Sequence, residues 1–152
     1  MNRWEWRKVG EGIRLTEKEM KYIQMFETVT GAVVVDCVED GDLLTFVVRQ
    51  GDLKKALSGR GSKIKELVRV FRKRIKVVEL AADAAVFIKN LLYPAEVIDP
   101  VRLMERPDGK TIAVVTVNPR DKGVAIGKDG KNINLARLLV KRHFNIEHVS
   151  VQ

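Results

Sequence analysis

The chain repeats itself at a constant offset of 69 residues, and this repeat limits the possible folds more than any other feature. The matching positions are Asp52 and Asp121, Leu57 and Ile126, Gly61 and Gly130, and Ile64 and Ile133. A constant offset through several elements indicates two copies of one small unit. We therefore predict an α+β fold in which each copy is a three-stranded sheet with helices packed on one face.

Each copy reads as helix, strand, strand, helix, loop, helix, strand. In the first copy, a capping box at Thr16–Glu19 starts a helix that Gly31 ends. The other predicted elements of this copy are a strand at 32–38, a turn at 39–42, a strand at 43–48, helices at 52–57 and 62–73, and a strand at 75–80. The second copy repeats this order with a helix at 83–92, an extended run at 96–105 that Pro100 breaks, a turn at 107–109, strands at 111–117 and 146–151, and a short helix that begins after Asn118.

These elements divide the chain into a tail at 1–14, a first domain at 15–80 and a second domain at 81–152. The tail carries Trp4 and Trp6 among charged residues. Its indoles either pack on the domain surface or stack on nucleic-acid bases, and the sequence favours packing.

A glycine loop comes before a helix in both copies. In the second copy, Gly127 and Gly130 are three residues apart, and Ile126 and Ile133 flank them. Glycines allow a tight turn and a close approach of the backbone to a ligand. A helix that begins at such a loop presents free N–H groups and the positive end of its dipole, which suits a phosphate.

The positive charge of the chain is concentrated around the two loops. The net charge is +8, but residues 54–76 carry +9 and residues 119–143 carry +5, so the rest of the chain is acidic. A basic stretch is most often a solvated helix face, but two at matching places in a repeat indicate a site for a polyanion.

We expect no enzyme, metal or cofactor. The two histidines, His143 and His148, lie near the C-terminus, and Cys37 falls in a predicted core strand. No Walker loop, zinc-ligand spacing or paired acidic site is present in the sequence. The single cysteine, and the lack of a signal peptide or an apolar run as long as a membrane span, predict a cytoplasmic protein.

The basic Gly-x-x-Gly between two helices resembles the KH RNA-binding domain, and the helix and hairpin before it are similar to the prokaryotic (type II) arrangement. Residues 117–136, from Val117 to Ala136, resemble the second KH domain of the NusA family of transcription factors. Bacterial members also have a polymerase-binding domain and an OB-fold domain. This chain has no room for either, so we expect the short archaeal NusA-related form, which is a pair of KH domains.

The resemblance implies that the loops clamp the backbone of single-stranded RNA and that a groove beside each loop receives about four nucleotides. The first loop departs from the family motif because Ser58 stands at the first glycine position. Gly59 could provide the turn with a one-residue shift, and we expect this loop to bind RNA less site-specifically. The implied RNA-binding residues are Ile126, Gly127, Lys128, Asp129, Gly130, Lys131, Ile133, Ser58, Gly59, Arg60, Gly61 and Lys63.

The leading functional hypothesis is therefore a single-stranded RNA-binding protein that acts in transcription termination or antitermination, with RNA polymerase or the transcription complex as a further partner. Two alternatives stay open. One is a ribosomal or ribosome-assembly KH protein, and the other is a protein-docking scaffold whose basic surface has no RNA specificity.

Overall fold

The computed structural model describes residues 15–152; the predicted tail, with Trp4 and Trp6, lies outside the described residues. The chain divides into two compact units, the first ending at Ala81 and the second running over Ala82–Gln152. Each unit contains one three-stranded sheet with its own helices, so the predicted α+β fold is confirmed.

The first unit follows the predicted order of elements. They are α1 (Glu17–Thr30), β1 (Val34–Asp40), β2 (Leu43–Val48), α2 (Leu53–Ala56), α3 (Ser62–Phe71) and β3 (Arg74–Glu79). The strand order is β1-β2-β3, with β1 antiparallel and β3 parallel to β2. Because parallel neighbours need a crossover connection, α2, the glycine loop and α3 together form that connection.

Aromatic side chains fill the core of the first unit. The rings of Phe26 on α1 and Phe46 on β2 are stacked, with their centroids 4.2 Å apart. Phe71, the last residue of α3, meets Tyr22 edge to face. These contacts hold both long helices of the unit against the sheet, and the glycine loop is therefore attached to a rigid layer.

The start of β1 differs from the prediction because side chains bind the backbone N–H groups before it. The hydroxyl of Thr30 accepts from the N–H of Ala32, and the Asp52 carboxylate accepts from the N–H of Val33. These two N–H groups are therefore not available to a neighbouring strand, and β1 begins at Val34, although the carbonyl of Val33 still accepts from the N–H of Arg49 just after β2. At its other end, β1 extends to Asp40, so the predicted turn at 39–42 contracts to Gly41 and Asp42.

The second unit repeats this topology. Its elements are α4 (Ala84–Leu92), β4 (Val97–Glu105), β5 (Thr111–Val117), a 3₁₀ turn (Pro119–Asp121), α5 (Lys122–Ile126), a second 3₁₀ turn (Lys128–Gly130), α6 (Lys131–Phe144) and β6 (Ile146–Val151). The strand order is β4-β5-β6, with β5 and β6 parallel. Pro100 does not break the strand as predicted, since β4 runs through it, but the β4–β5 register shifts between Ile98 and Arg102.

The two helices that follow the loops differ in length, but each ends at a residue in the left-handed conformation. The sequence predicts that α3 reaches Lys73, but it ends at Phe71 because Arg72 adopts the left-handed conformation and donates its N–H to the carbonyl of Val68. Helix α6 is four residues longer than α3 and ends in the same way at Asn145. An asparagine there is a common helix stop, whereas an arginine gives no such signal.

Candidate nucleic-acid interface

The second loop, Gly127–Gly130, reverses the chain between α5 and α6 within four residues. Gly127 has φ 77° and ψ 169°, and Gly130 has φ 72° and ψ 12°. Between them Asp129 is also left-handed, with φ 57°. The conformation of Gly127 is open almost only to glycine, while aspartate is among the residues that tolerate the conformation of Asp129.

Gly127 is required by packing as well as by its dihedral angles. A Cβ atom at this position would lie 2.8 Å from the Cβ of Asn132 and 2.9 Å from its backbone nitrogen. The backbone of the loop therefore lies directly against the first turn of α6. By contrast, a Cβ atom at Gly130 would meet nothing closer than 3.6 Å.

The first loop, Ser58–Gly61, reaches a similar turn with the shift that the sequence predicts. The φ angle of Ser58 is not positive, whereas Gly59 has φ 68°. Arg60 and Gly61 then have φ 58° and 77°, close to the values of Asp129 and Gly130. Gly59 has thus taken over the positive φ that Gly127 supplies in the second loop.

Each loop is tied to the helix before it by a side-chain hydrogen bond. In the second unit, the Asn132 amide donates to the carbonyl of Ala125 over 2.9 Å. In the first unit, the Ser58 hydroxyl donates to the carbonyl of Lys55 over 2.8 Å. Both bonds satisfy a carbonyl at the C-terminal end of a short helix. The serine that breaks the glycine motif therefore has a structural role.

A second pair of matching side chains fixes each loop-bearing helix pair to its sheet. Asp52 accepts from the N–H of Val33 just before β1, and Asp121 accepts from the N–H of Glu96 just before β4. Burial of the Asp52 carboxyl opposes its ionisation. The Val33 N–H and the Arg49 guanidinium outweigh this effect and hold the pKa of Asp52 below its ordinary value.

The helices that follow the loops have no side chain capping their N-termini. Gly61 is the N-cap residue of α3 and Gly130 that of α6, and neither can offer an oxygen to the free N–H groups of the first turn. An N-terminus of this kind carries a partial positive charge and donors directed along the helix axis. Both units thus present an anion-binding feature at matching places.

The basic residues of the two stretches differ in their ionic partners. Some are held in ion pairs, as Lys73 is with Glu39, Arg74 with Asp42 and Lys141 with Glu147. Within residues 15–152, the structure gives no ion pair to another set of cations: Lys54, Arg60, Lys63, Lys65, Arg69, Arg72, Lys122, Lys128 and Lys131. Most of these unpaired cations lie on the loops or on the helix turns next to them.

One basic residue counted in the first stretch is removed from this surface. Lys76 lies on β3, where burial lowers its pKa to about 8. With this pKa the amine is still mostly protonated at pH 7, so Lys76 keeps its charge but is half-buried on β3 and is not part of the loop or of α3.

The apolar residues that flank the loops have separate positions. Ile133 is 5% exposed and belongs to the interior, where it anchors α6. Ile126 is half-buried, while Val124 on α5 and Leu57 before the first loop are about half exposed, at 50% and 46%. Of the apolar residues that the sequence nominates, Ile126 therefore has surface available to a base, and Ile133 acts by positioning the helix.

Two features are absent from residues 15–152. No group of three or more His, Cys, Asp or Glu side chains in this part of the chain could hold a metal ion. None of its helices is long and apolar enough to cross a membrane.

Comparison with known proteins gives the family. A family model described as the NusA-like second KH domain matches residues 84–152. A protein of Halobacterium salinarum named probable transcription termination protein NusA is 38% identical over 139 residues, which are 91% of this chain and 98% of that protein. The chain belongs to the archaeal NusA-related family. A relative of the same name from Halococcus morrhuae is 36% identical over equal shares of the two chains.

A solved structure shares the fold of this NusA-related chain. The crystal structure of APE1850 superimposes with a TM-score of 0.75 at 34% sequence identity and covers 91% of this chain and 100% of that one. The likeness extends over both KH units, whereas the family model matches the second unit only.

Sequence reasoning missed two residues near the candidate site of this NusA-related chain. Asn132 is neither charged nor a glycine, so the motif gives no reason to single it out, yet it ties the second loop to α5. Arg137 was counted only as part of a basic stretch, but its guanidinium bonds to the backbone of β6. A helical wheel of α6 could have separated Arg137 from the solvated cations, but its partner on β6 depends on the tertiary fold.

Proposed function

We propose that this chain is a non-enzymatic, cytoplasmic protein that binds single-stranded RNA through both glycine loops and acts in transcription termination or antitermination. One observation supports this most strongly. In both units, an uncapped helix N-terminus is surrounded by cations to which the described structure gives no ion pair. This combination favours a ligand with several negative charges in a row.

The residues proposed to hold phosphates in the second unit are the loop backbone, Lys128 and Lys131. Both lysines are exposed, and Lys131 is the first residue of α6. In the first unit, Arg60 and Lys63 lie beside Gly59 and Gly61, each one position later in the repeat than Lys128 and Lys131. The carboxylate of Asp129 is the one acidic group within the second loop and limits how close a phosphate comes to that position.

The role in transcription rests on the family. Relatives that match nearly the whole chain are named probable transcription termination proteins, and the second unit matches a NusA-like KH domain. We propose that the partner of this chain is RNA polymerase or the transcription complex, and that both contact the same RNA.

A pair of lysines on the same helix provides a matched test of RNA binding. Lys131→Gln removes an unpaired cation at the N-terminus of α6, and Lys141→Gln removes a cation near the other end that is paired with Glu147 over 3.0 Å. We expect Lys131→Gln to weaken binding of a labelled single-stranded RNA by about fivefold, equivalent to about 1 kcal/mol. Lys141→Gln should change affinity by less than about twofold.

The measurement is fluorescence anisotropy at fixed salt, with circular dichroism to confirm that both variants fold. Equal affinities of the two variants would remove the second loop from the binding site. Gly127→Asp is a poor probe, because its Cβ would meet the backbone of Asn132 and loss of binding would then report loss of structure.

A further inference from the structure

Arg137 lies in the middle of α6 and reaches the edge of the sheet. Its Nε donates to the carbonyl oxygen of Val149 on β6 over 3.1 Å, and its Nη1 donates to Oδ1 of Asn134 over 3.2 Å. The side chain is half-buried. Two hydrogen bonds on one planar group fix the orientation of the guanidinium, whereas a solvated arginine would have no fixed orientation.

The carbonyl that holds Arg137 belongs to the open edge of β6. This strand is the last in the order β4-β5-β6, so one of its edges has no neighbouring strand in the sheet. Gln152 exchanges backbone hydrogen bonds with Val115 and Val117, and in a parallel pair alternate residues face the neighbouring strand. Val149 and Val151 therefore direct their N–H groups to the open edge, on either side of the bound carbonyl.

This edge is rich in donors. A guanidinium has five N–H donors in a fixed fork, and the described structure uses two of those of Arg137. Val149 is fully buried, so its N–H is not accessible, but the three donors that are left on Arg137 and the N–H of the half-buried Val151 point to a ligand with adjacent acceptor atoms. Salt bridges within the described residues do not involve Arg137, so no carboxylate occupies the fork.

We infer that Arg137 is a specificity-determining residue, which selects an RNA base that presents two adjacent hydrogen-bond acceptors. Guanine offers such a pair in O6 and N7, and cytosine offers one in O2 and N3. Adenine and uracil alternate donors with acceptors along their edges and leave one donor of the fork unmatched. This inference rests on the proposed function, since it concerns the same bound strand.

The position of Arg137 allows it to contact a base of a strand that is held at the loop. Lys131, at the N-terminus of α6, lies six residues before Arg137, about 9 Å along a helix that rises about 1.5 Å per residue. A strand held by its phosphates at the loop can therefore extend along α6 and place a base at the β6 edge. Phosphate contacts set the position of the strand, and the contact at Arg137 reads its sequence.

The test uses the full chain and four 12-residue single-stranded RNAs: one of uridine alone and three in which half of the uridines are replaced by cytidine, guanosine or adenosine. We expect the cytidine RNA, the guanosine RNA or both to bind about tenfold more tightly than the uridine and adenosine RNAs. Replacing guanine by 7-deazaguanine in the guanosine RNA distinguishes recognition of guanine from recognition of cytosine. Only recognition of guanine through N7 is lost on that replacement.

Arg137→Lys keeps the charge but removes the planar fork. In this variant we expect the four RNAs to bind within about twofold of one another. Asn134→Ala, which frees Nη1 without touching the charge, should reduce the discrimination to an intermediate value. Folding of both variants is checked by thermal unfolding.

Each other outcome overturns the inference. Equal, salt-sensitive binding of all four RNAs by the unchanged protein removes base selection but leaves the proposed function intact. Discrimination that survives in Arg137→Lys, or an equal loss of affinity for all four RNAs, assigns the residue no role in selection. No binding of any RNA overturns both this inference and the proposed function.

Discussion

At the scale of single residues, the two loops show that one backbone turn can be built from different sequences. The second loop places its first positive φ at Gly127, and the first loop places it at Gly59, one position later. The serine at the remaining position bonds to the carbonyl of Lys55. Gly59 therefore compensates for the serine at the first glycine position, and the turn into the following helix is kept.

Two glycines of the second unit give a direct test of this interpretation. Gly127 has positive φ and lies against the backbone of Asn132, whereas Gly123 is in α5, where an added Cβ atom would meet nothing within 4 Å. Gly127→Ala should lower the free energy of unfolding by about 1–3 kcal/mol. Gly123→Ala should raise it by about 0.5–1 kcal/mol because alanine is the better helix former.

The measurement is urea denaturation of both variants and the unchanged protein. A Gly127→Ala protein as stable as the unchanged one would show that the loop does not need the conformation described here.

At the scale of elements, the connection from α1 to β1 depends on side chains that reach backbone groups. Thr30, Asp52 and Glu27 accept from three successive N–H groups, those of Ala32, Val33 and Val34. Asp52 is only 4% exposed, so it ties α2 to the start of the first strand from inside the unit. Loss of this carboxylate should therefore loosen the junction that carries the first loop.

The pH dependence of stability tests the role of Asp52. Its pKa is lowered in the folded protein, so its contribution is complete above its unfolded pKa of about 3.9 and is lost as the pH falls through the folded value. We expect Asp52→Asn to be less stable at pH 7 by about 1–3 kcal/mol. The difference from the unchanged protein should shrink as the pH decreases from about 5 to about 2.

Urea denaturation at several pH values measures this difference. Parallel stability curves for the two proteins across that range would show that the carboxylate does not titrate in the way described.

Much of the fold follows from local signals in the sequence. The capping box at Thr16 and Glu19 is present as predicted, and the strands Leu43–Val48, Thr111–Val117 and Ile146–Val151 have the predicted bounds. The failures have tertiary causes. The late start of β1 depends on Asp52, which is remote in sequence, and the early end of α3 depends on an arginine in a conformation that arginine rarely adopts.

The candidate site was predictable to a similar extent. The glycine spacing and the nearby lysines locate the loops, and the offset between the copies predicts that both loops have one form. The interior position of Ile133 and the bond from Arg137 to Val149 were not predictable, because both depend on how α6 packs on its sheet.

At the scale of the whole molecule, the cations fall into two groups, those that form ion pairs and those that do not. The net charge of +8 arises from two strongly basic stretches within an otherwise acidic chain. Within those stretches, some cations form ion pairs with carboxylates of the same unit (Lys55, Lys73, Arg74, Arg120 and Lys141), while Arg60, Lys128 and Lys131 at the loops have no ion pair in the described structure. We therefore assign RNA attraction to a small number of residues and not to the net charge.

The most direct test of this claim is the dependence of RNA affinity on salt concentration in two variants of equal net charge. One replaces four unpaired loop cations by glutamine (Arg60, Lys63, Lys128 and Lys131), and the other replaces four paired cations (Lys55, Arg74, Arg120 and Lys141). Each lost phosphate contact should reduce the slope of log affinity against log salt by about 0.7, so the first variant should lose about 3 and the second almost nothing. Equal slopes in the two variants would contradict the account, since net charge alone would then explain the attraction.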